Sequence, residues 1–252
     1  MSVPADRALA CLRPQWPVPD AVCAAFTLRS GGVSAGPFDT LNVGARVGDR
    51  PERVGENRAR VRAALSLPHE PCWLEQVHGA DVVEIRHADL TSTPRGDAVI
   101  AREPGAVAVI QVADCLPVLL AAADGSCVAA AHAGWRGLAA GVLEATVERL
   151  GTDPARLLAW LGPAIGPGHF EVGAEVRDAF LAHDPAAAVA FHANARQRWQ
   201  CDLLALARQR LQQAGVRQVF GGEWCTYADR GRFFSYRRDG QCGRMAALVW
   251  LV

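Results

Sequence analysis

Two kinds of hydrophobic pattern alternate along the chain. Short, nearly uninterrupted apolar runs rich in β-branched residues mark strands, and longer blocks with apolar residues three and four apart mark helices. "AVAVIQVA" (106–113), "LPVLLAAA" (116–123) and "SCVAAAHA" (126–133) are the strongest runs, and Asp124-Gly125 between the last two predicts a hairpin turn. "CWLEQVHGADVVEI" (72–85) reads as two β segments interrupted by His78-Gly79. "RLLAWL", "RQVFGG", "FFSYRR" and the terminal "MAALVWLV" supply further strands. A helix is expected over about 51–66, opened by Pro51 and carrying Val54, Val61 and Leu65 on one face. Others are expected over "WRGLAAGVLEATVERLG" (135–151), stopped by Gly151, over "EVGAEVRDAFLAHD" (171–184), and over "CDLLALARQRLQQAG" (201–215). Strands and helices in alternation, hairpins included, predict an α/β (α+β) fold with mixed sheets.

The 252 residues show no internal repeat and no break, so one catalytic domain is expected over 1–252, with residues 1–20 as a loose N-terminal extension. The 26 basic residues balance the 26 acidic ones, and no overall field favours nucleic acid or an anionic membrane. No apolar stretch is long enough to span a bilayer, and the N-terminus lacks the apolar block of a signal peptide, so a cytoplasmic monomer is expected. The 8 cysteines are scattered and form no CxxC pair; most are expected to be reduced, buried thiols.

Three residues stand out: His78, Cys115 and His132. Each lies where a β run ends or is interrupted beside a small residue or turn. They form no local metal motif. The argument is architectural: Cys115 and His132 flank the predicted hairpin, so they should lie close in space at one sheet edge. Two histidines and a cysteine can hold Zn²⁺ with one position open, which would fix Cys115 as thiolate and lower the pKa of a bound water. Without a metal, the same three make a cysteine nucleophile with a histidine base. A buried thiol and a satisfied core imidazole remain the plain alternative. His169, in a Gly/Pro loop, could line the site; His69, His87, His183 and His192 read as solvated. Arg136, behind Gly134 at a predicted helix start, and the arginines of "YRRDGQCGR" are candidate anion contacts.

At these residues a resemblance appears. "RSGGVSAGPFDTLNVGARVGD", "LEQVHGADV", "DAVIAREPGAVAVIQVADCLPVLLA", "AAAHAGWRG", "LGPAIGPGHFEVG" and "FFSYRRDGQCGR" closely resemble the laccase-domain family, also called polyphenol-oxidase-like, peptidoglycan-editing-factor or purine nucleoside phosphorylase laccase-domain proteins. The resemblance runs from about residue 26 to 252. It implies a layered α/β/β/α fold with mixed sheets, similar to a toxin deamidase with a Cys–His site. It also implies metal ligands at His78, Cys115 and His132, with zinc as the metal and copper as the alternative. The implied activities are phosphorolysis of adenosine, inosine, guanosine and methylthioadenosine, and deamination of adenosine. Older namings imply copper-dependent phenol oxidation or a Cys–His hydrolase editing peptidoglycan precursors. The expected partners are purine nucleosides and phosphate, with Arg46, Arg136 or Arg244 holding phosphate and Asn42 touching ribose or base. Two positions depart from the family pattern: Arg46, where a histidine is usual, and Cys242, where a threonine is common.

Overall fold

The computed structural model describes residues 9–86 and 93–252. In chain order the strands are β1 (Cys11–Leu12), β2 (Val22–Thr27), β3 (Cys72–Trp73), β4 (Val82–Ile85), β5 (Ala98–Ala101), β6 (Val107–Val112), β7 (Leu116–Ala122), β8 (Val128–Ala133), β9 (Leu157–Leu161), β10 (Glu171–Val172), β11 (Phe191–Ala193), β12 (Trp199–Cys201), β13 (Gln218–Gly221) and β14 (Met245–Leu251). The helices are α1 (Pro51–Ala64), α2 (Trp135–Ala139), α3 (Val142–Leu150), α4 (Ala174–His183), α5 (Leu203–Gln213) and α6 (Tyr236–Asp239).

Two large mixed sheets form the centre. One has the order β1-β2-β14-β6-β3, the other β13-β9-β7-β8-β5-β4, and a small third sheet has the order β10-β12-β11. Strand alternation explains the layering. Along β14, Met245, Ala247 and Val249 pack with Leu119, Ala121, Val128 and Ala130 of the other sheet. The intervening Ala246, Leu248 and Trp250 pack against Val61 and Leu65 of the α1 region. On the six-stranded sheet, Val118, Leu120, Ala129 and Ala131 face Leu143 and Val147 of α3 and Leu206 of α5. The order is therefore helix, sheet, sheet, helices. Strands covered on both faces read as continuous apolar runs rather than alternating ones, which is why 106–133 looked so uniformly hydrophobic. Each fully buried Leu or Phe of these layers contributes about 1.5–3 kcal/mol of transfer free energy.

Three expectations are corrected. The helix expected over 135–151 is two helices, α2 and α3, because Gly141 takes a left-handed conformation (φ 91°) between them. "FFSYRR" is not a strand: Phe233 and Phe234 are buried loop anchors, and Ser235 caps the short α6 by accepting from the Arg238 N–H. The segment 1–20 is not loose throughout, since Cys11 and Leu12 pair with Thr27 and Phe26.

Candidate active site

The site lies where the chain crosses between the two sheets. β6 belongs to the five-stranded sheet and β7 to the six-stranded one, and Cys115 sits in the link between them. The link turns sharply at Asp114 (φ 83°). Asp114 is buried, and its carboxylate accepts from the Thr226 hydroxyl (2.6 Å), the Ser235 hydroxyl (3.0 Å) and the Arg237 N–H (2.6 Å). Those bonds hold an otherwise unfavourable backbone conformation and fix the Cys115 thiol. The 73–82 link likewise crosses from β3 to β4, and His78 lies on it with φ 63°. His132 ends β8, opposite Pro117 of β7. The hairpin thus brings Cys115 and His132 together as expected, and the second crossing adds His78.

Asp97 organises both histidines. It directly precedes β5, and the register Ala98↔Ala131 places it beside His132. One carboxylate oxygen accepts from His132 Nδ1 (2.8 Å) and the His78 N–H (2.9 Å); the other accepts from the N–H groups of Val77 (3.1 Å) and Gly79 (2.7 Å). Asp97 is fully buried, yet its pKa is lowered: burial raises it, but these donors outweigh burial. With Nδ1 committed to Asp97, Nε2 is the His132 nitrogen left to face Cys115.

The Cys115 Sγ lies 4.0 Å from His78 Nε2, and the two imidazole rings meet edge-on with centroids 4.8 Å apart. Burial raises the Cys115 pKa, but His132 and His78 outweigh it and pull the thiol down to about 6. His132 moves the opposite way: burial lowers its pKa, while the Cys115 thiolate and Asp97 together raise it. One ligand atom from each of the three lies within 4.8 Å of the others. Metal–nitrogen and metal–sulfur bonds are about 2.0–2.3 Å, so three donors this close can share one ion. The donor set is a favoured thiolate, an imidazole fixed in one tautomer by a carboxylate, and a second imidazole on a hydrogen-bonded loop, which fits a divalent metal centre with one open position. A Cβ on Gly134 would lie 3.0 Å from the Cys115 sulfur and 3.4 Å from His78 Cδ2, so this glycine gives the trio its room.

The trio opens on a cleft of ≈540 Å³, within the roughly 300–1,000 Å³ usual for small-molecule sites. Arg46 and Arg244 line this cleft with Arg58, Trp73, Glu75, Gln111 and Tyr236. Arg46 is ion-paired with Glu75. Arg244 donates to the carbonyls of Cys242 (2.9 Å) and Gly243 (3.1 Å). Arg136 instead lines a second, smaller cavity that shares His78 and Cys115. Asn42 is not a cleft residue. It is fully buried, with Nδ2 donating to Gly44 O and Asp49, and Oδ1 accepting from the Gly44 and Arg244 N–H groups. Its amide is saturated, so the expected substrate contact becomes a brace for the loop behind Arg244. Cys242 is buried beside the Arg244 guanidinium and outside the cleft lining. His169 is exposed and stacks on Tyr227 (4.4 Å) rather than lining the cleft. His69, His183 and His192 are exposed, and His87 lies outside the described residues. Asp97, Asp114 and Tyr236, with Arg58, Trp73, Glu75 and Gln111 of the cleft, are site residues that the sequence did not single out. A lone acid before a strand gives no signal until the strand pairing is known.

A sequence model of the family described as multi-copper polyphenol oxidoreductase laccase matches residues 23–252. The chain is 53% identical over 239 residues to purine nucleoside phosphorylase YfiH of Escherichia coli strain K12, covering 95% of this chain and 98% of that protein. It is 54% identical over 243 residues to purine nucleoside phosphorylase PA4543 of Pseudomonas aeruginosa, covering 96% and 98%. The crystal structure of NMB0706 from Neisseria meningitidis, described as DUF152, matches with a TM-score of 0.92 at 45% identity over 96% of this chain and 98% of that one. YlmD from Geobacillus stearothermophilus matches with a TM-score of 0.92 at 32% identity over 98% of both chains. Among the described residues no helix is long and apolar enough to cross a membrane.

Proposed function

The chain belongs to the family described as multi-copper polyphenol oxidoreductase laccase, and within it we propose that this protein is a zinc-dependent purine nucleoside phosphorylase. The observation that carries the reading is the convergence of His78, Cys115 and His132 at a cleft of nucleoside-compatible volume. The phosphorylase names of relatives more than half identical over nearly their whole length support it. The proposed substrates are adenosine, inosine, guanosine and methylthioadenosine. A phosphate oxygen attacks the anomeric carbon, the C–N bond to the base breaks, and its electron pair leaves on the purine. The proton lost by hydrogen phosphate is the one the base gains.

The chain's own residues prepare this step. Asp97 keeps the His132 proton on Nδ1 and seats the His78 loop, while Asp114 seats Cys115. Trp73 and Tyr236 offer aromatic faces for the purine, and Glu75 and Gln111 offer polar groups for base or ribose. His78, Cys115 and His132 would hold the ion, which supplies Lewis acidity when bound. Thiolate and imidazole donors suit zinc, with copper the alternative. Adenosine deamination would use the same cleft, with water rather than phosphate as nucleophile.

Multicopper phenol oxidation asks for several ions. The chain has 7 histidines, and one cluster of three or more metal-binding groups is present among the described residues. A second reading has a specific observation behind it: in metal-free form, the low Cys115 pKa and raised His132 pKa make a thiolate–imidazolium pair, the arrangement of a Cys–His hydrolase. Incubation with inosine separates the two. Phosphate-dependent release of hypoxanthine and ribose 1-phosphate supports phosphorolysis. Failure to form either product, with amide hydrolysis by metal-free protein, favours the hydrolase.

A further inference from the structure

Two cavities meet at His78 and Cys115. The larger is the cleft already described. The smaller, ≈240 Å³, is lined by Trp135, Arg136, Phe170 and Arg237 among others. Their linings share His78, Ala113, Cys115 and Tyr236 and otherwise differ. We propose that the smaller cavity is the oxyanion subsite, taking inorganic phosphate between Arg136 and Arg237, while the larger holds the nucleoside. This rests on the phosphorolytic reading.

Three observations carry the assignment. The first is charge. Neither Arg136 nor Arg237 makes an ion pair among the described residues, and both are exposed at the cavity. The Arg136 guanidinium is steadied 4.4 Å over the Trp135 ring. Arg237 is steadied over Phe170 (5.2 Å), with NH1 donating to the Glu171 carbonyl (2.7 Å), and its remaining donors stay available. The acid lining this cavity, Asp114, already accepts three hydrogen bonds. In the larger cleft, by contrast, the Glu75 carboxylate pairs with Arg46, and Arg244 NH1 donates to two backbone carbonyls. The second observation is size. At ≈240 Å³ the smaller cavity falls below the usual range for drug-sized ligands but admits a tetrahedral oxyanion. The third is topology. In a displacement at the anomeric carbon, the incoming oxygen and the departing base lie on opposite sides of that carbon. Two cavities joined at a shared rim provide for this, with His78 and Cys115 on the rim. Planar guanidinium forks are well suited to phosphate.

The test is the KM for phosphate at saturating inosine in zinc-loaded Arg136→Gln and Arg237→Gln. Both side chains are exposed, so circular dichroism should confirm an unchanged fold. The expected result is a rise in phosphate KM of about tenfold or more for each, from loss of charge-assisted hydrogen bonds. The inosine KM should stay within about threefold, and the distant surface variant Arg149→Gln should match wild type. An unchanged phosphate KM in both variants, or one that moves instead in Arg58→Gln or Arg244→Gln, overturns the assignment while leaving phosphorolysis standing. Calorimetric titration with inorganic phosphate alone separates the two claims. Binding that disappears in the double variant supports the subsite even if inosine is not cleaved, and binding that survives in it overturns the subsite.

Discussion

The Asp97 carboxylate bonds His132 Nδ1 at 2.8 Å and the backbone N–H of His78 at 2.9 Å through the same oxygen. One buried side chain therefore fixes both imidazoles of the trio, although the three residues come from a loop, a strand entry and a strand end. Asp97→Asn keeps the shape but removes the charge and replaces one acceptor oxygen with a donor. It should lower unfolding stability by about 2–4 kcal/mol, since charged hydrogen bonds of this kind are each worth roughly 1.5–3 kcal/mol. It should also weaken metal binding by about 10–100-fold. Urea denaturation and a chelator competition assay check the two effects; wild-type values in both would refute the role given to Asp97.

Titration of the metal-free protein reads the electrostatics of the trio. The Cys115 pKa is lowered by folding, so its thiolate stabilises the fold above the ordinary thiol value and that contribution is lost as pH falls through about 6. The His132 pKa is raised, so its charged form contributes at low pH and the contribution is lost as pH rises through the folded value. The pair is therefore a thiolate–imidazolium at neutral pH. Iodoacetamide at pH 7 should label Cys115 before Cys11, Cys72 and Cys201, which burial pushes up to about 11, 11 and 12. A labelling midpoint for Cys115 at the ordinary thiol value of about 8.5 would contradict this picture.

Gly134→Ala tests the room around the trio. Gly134 has φ −60° and ψ 158°, which alanine adopts without backbone strain, so the cost of replacement is the overpacking of the added Cβ, about 1–3 kcal/mol. The added Cβ would crowd the Cys115 sulfur at 3.0 Å. Metal affinity and turnover should fall about tenfold or more, well beyond the modest drop in melting temperature. Full activity would show that the trio has more room than its geometry indicates.

Asn42→Ala should behave as a structural lesion. It orphans the N–H groups of Gly44 and Arg244, at about 1–3 kcal/mol for each buried donor left unpaired. Thermal unfolding should drop together with turnover. A fully stable variant with only a raised nucleoside KM would restore Asn42 as a substrate contact.

The hairpin of β7 and β8 was legible because long apolar runs met at Asp124-Gly125, and that register alone placed Cys115 near His132. The layering was less legible in the residues themselves. Strands buried on both faces lose the alternation that tells one face from the other, and the layered arrangement was expected from resemblance. Asp97 was invisible because its partners lie 18 to 35 residues away and meet it only once β5 pairs with β8 on one side and β4 on the other. The bracing bonds of Asn42 were not legible because a polar residue in a glycine-rich loop reads the same whether it faces a ligand or braces the loop. The split at Gly141 was missed because a glycine inside a helical pattern lowers helix stability without announcing a left-handed turn.

Under the proposed function, Cys115, with His78 and His132, carries phosphate-dependent cleavage of purine nucleosides. The most direct measurement compares wild type and Cys115→Ser with inosine, with and without phosphate, while zinc content is determined on the same samples. Wild type should give phosphate-dependent hypoxanthine and ribose 1-phosphate, and Cys115→Ser should lose about a hundredfold or more in both product formation and zinc affinity, as expected when a soft thiolate ligand is removed. Full activity and undiminished zinc in Cys115→Ser would contradict it.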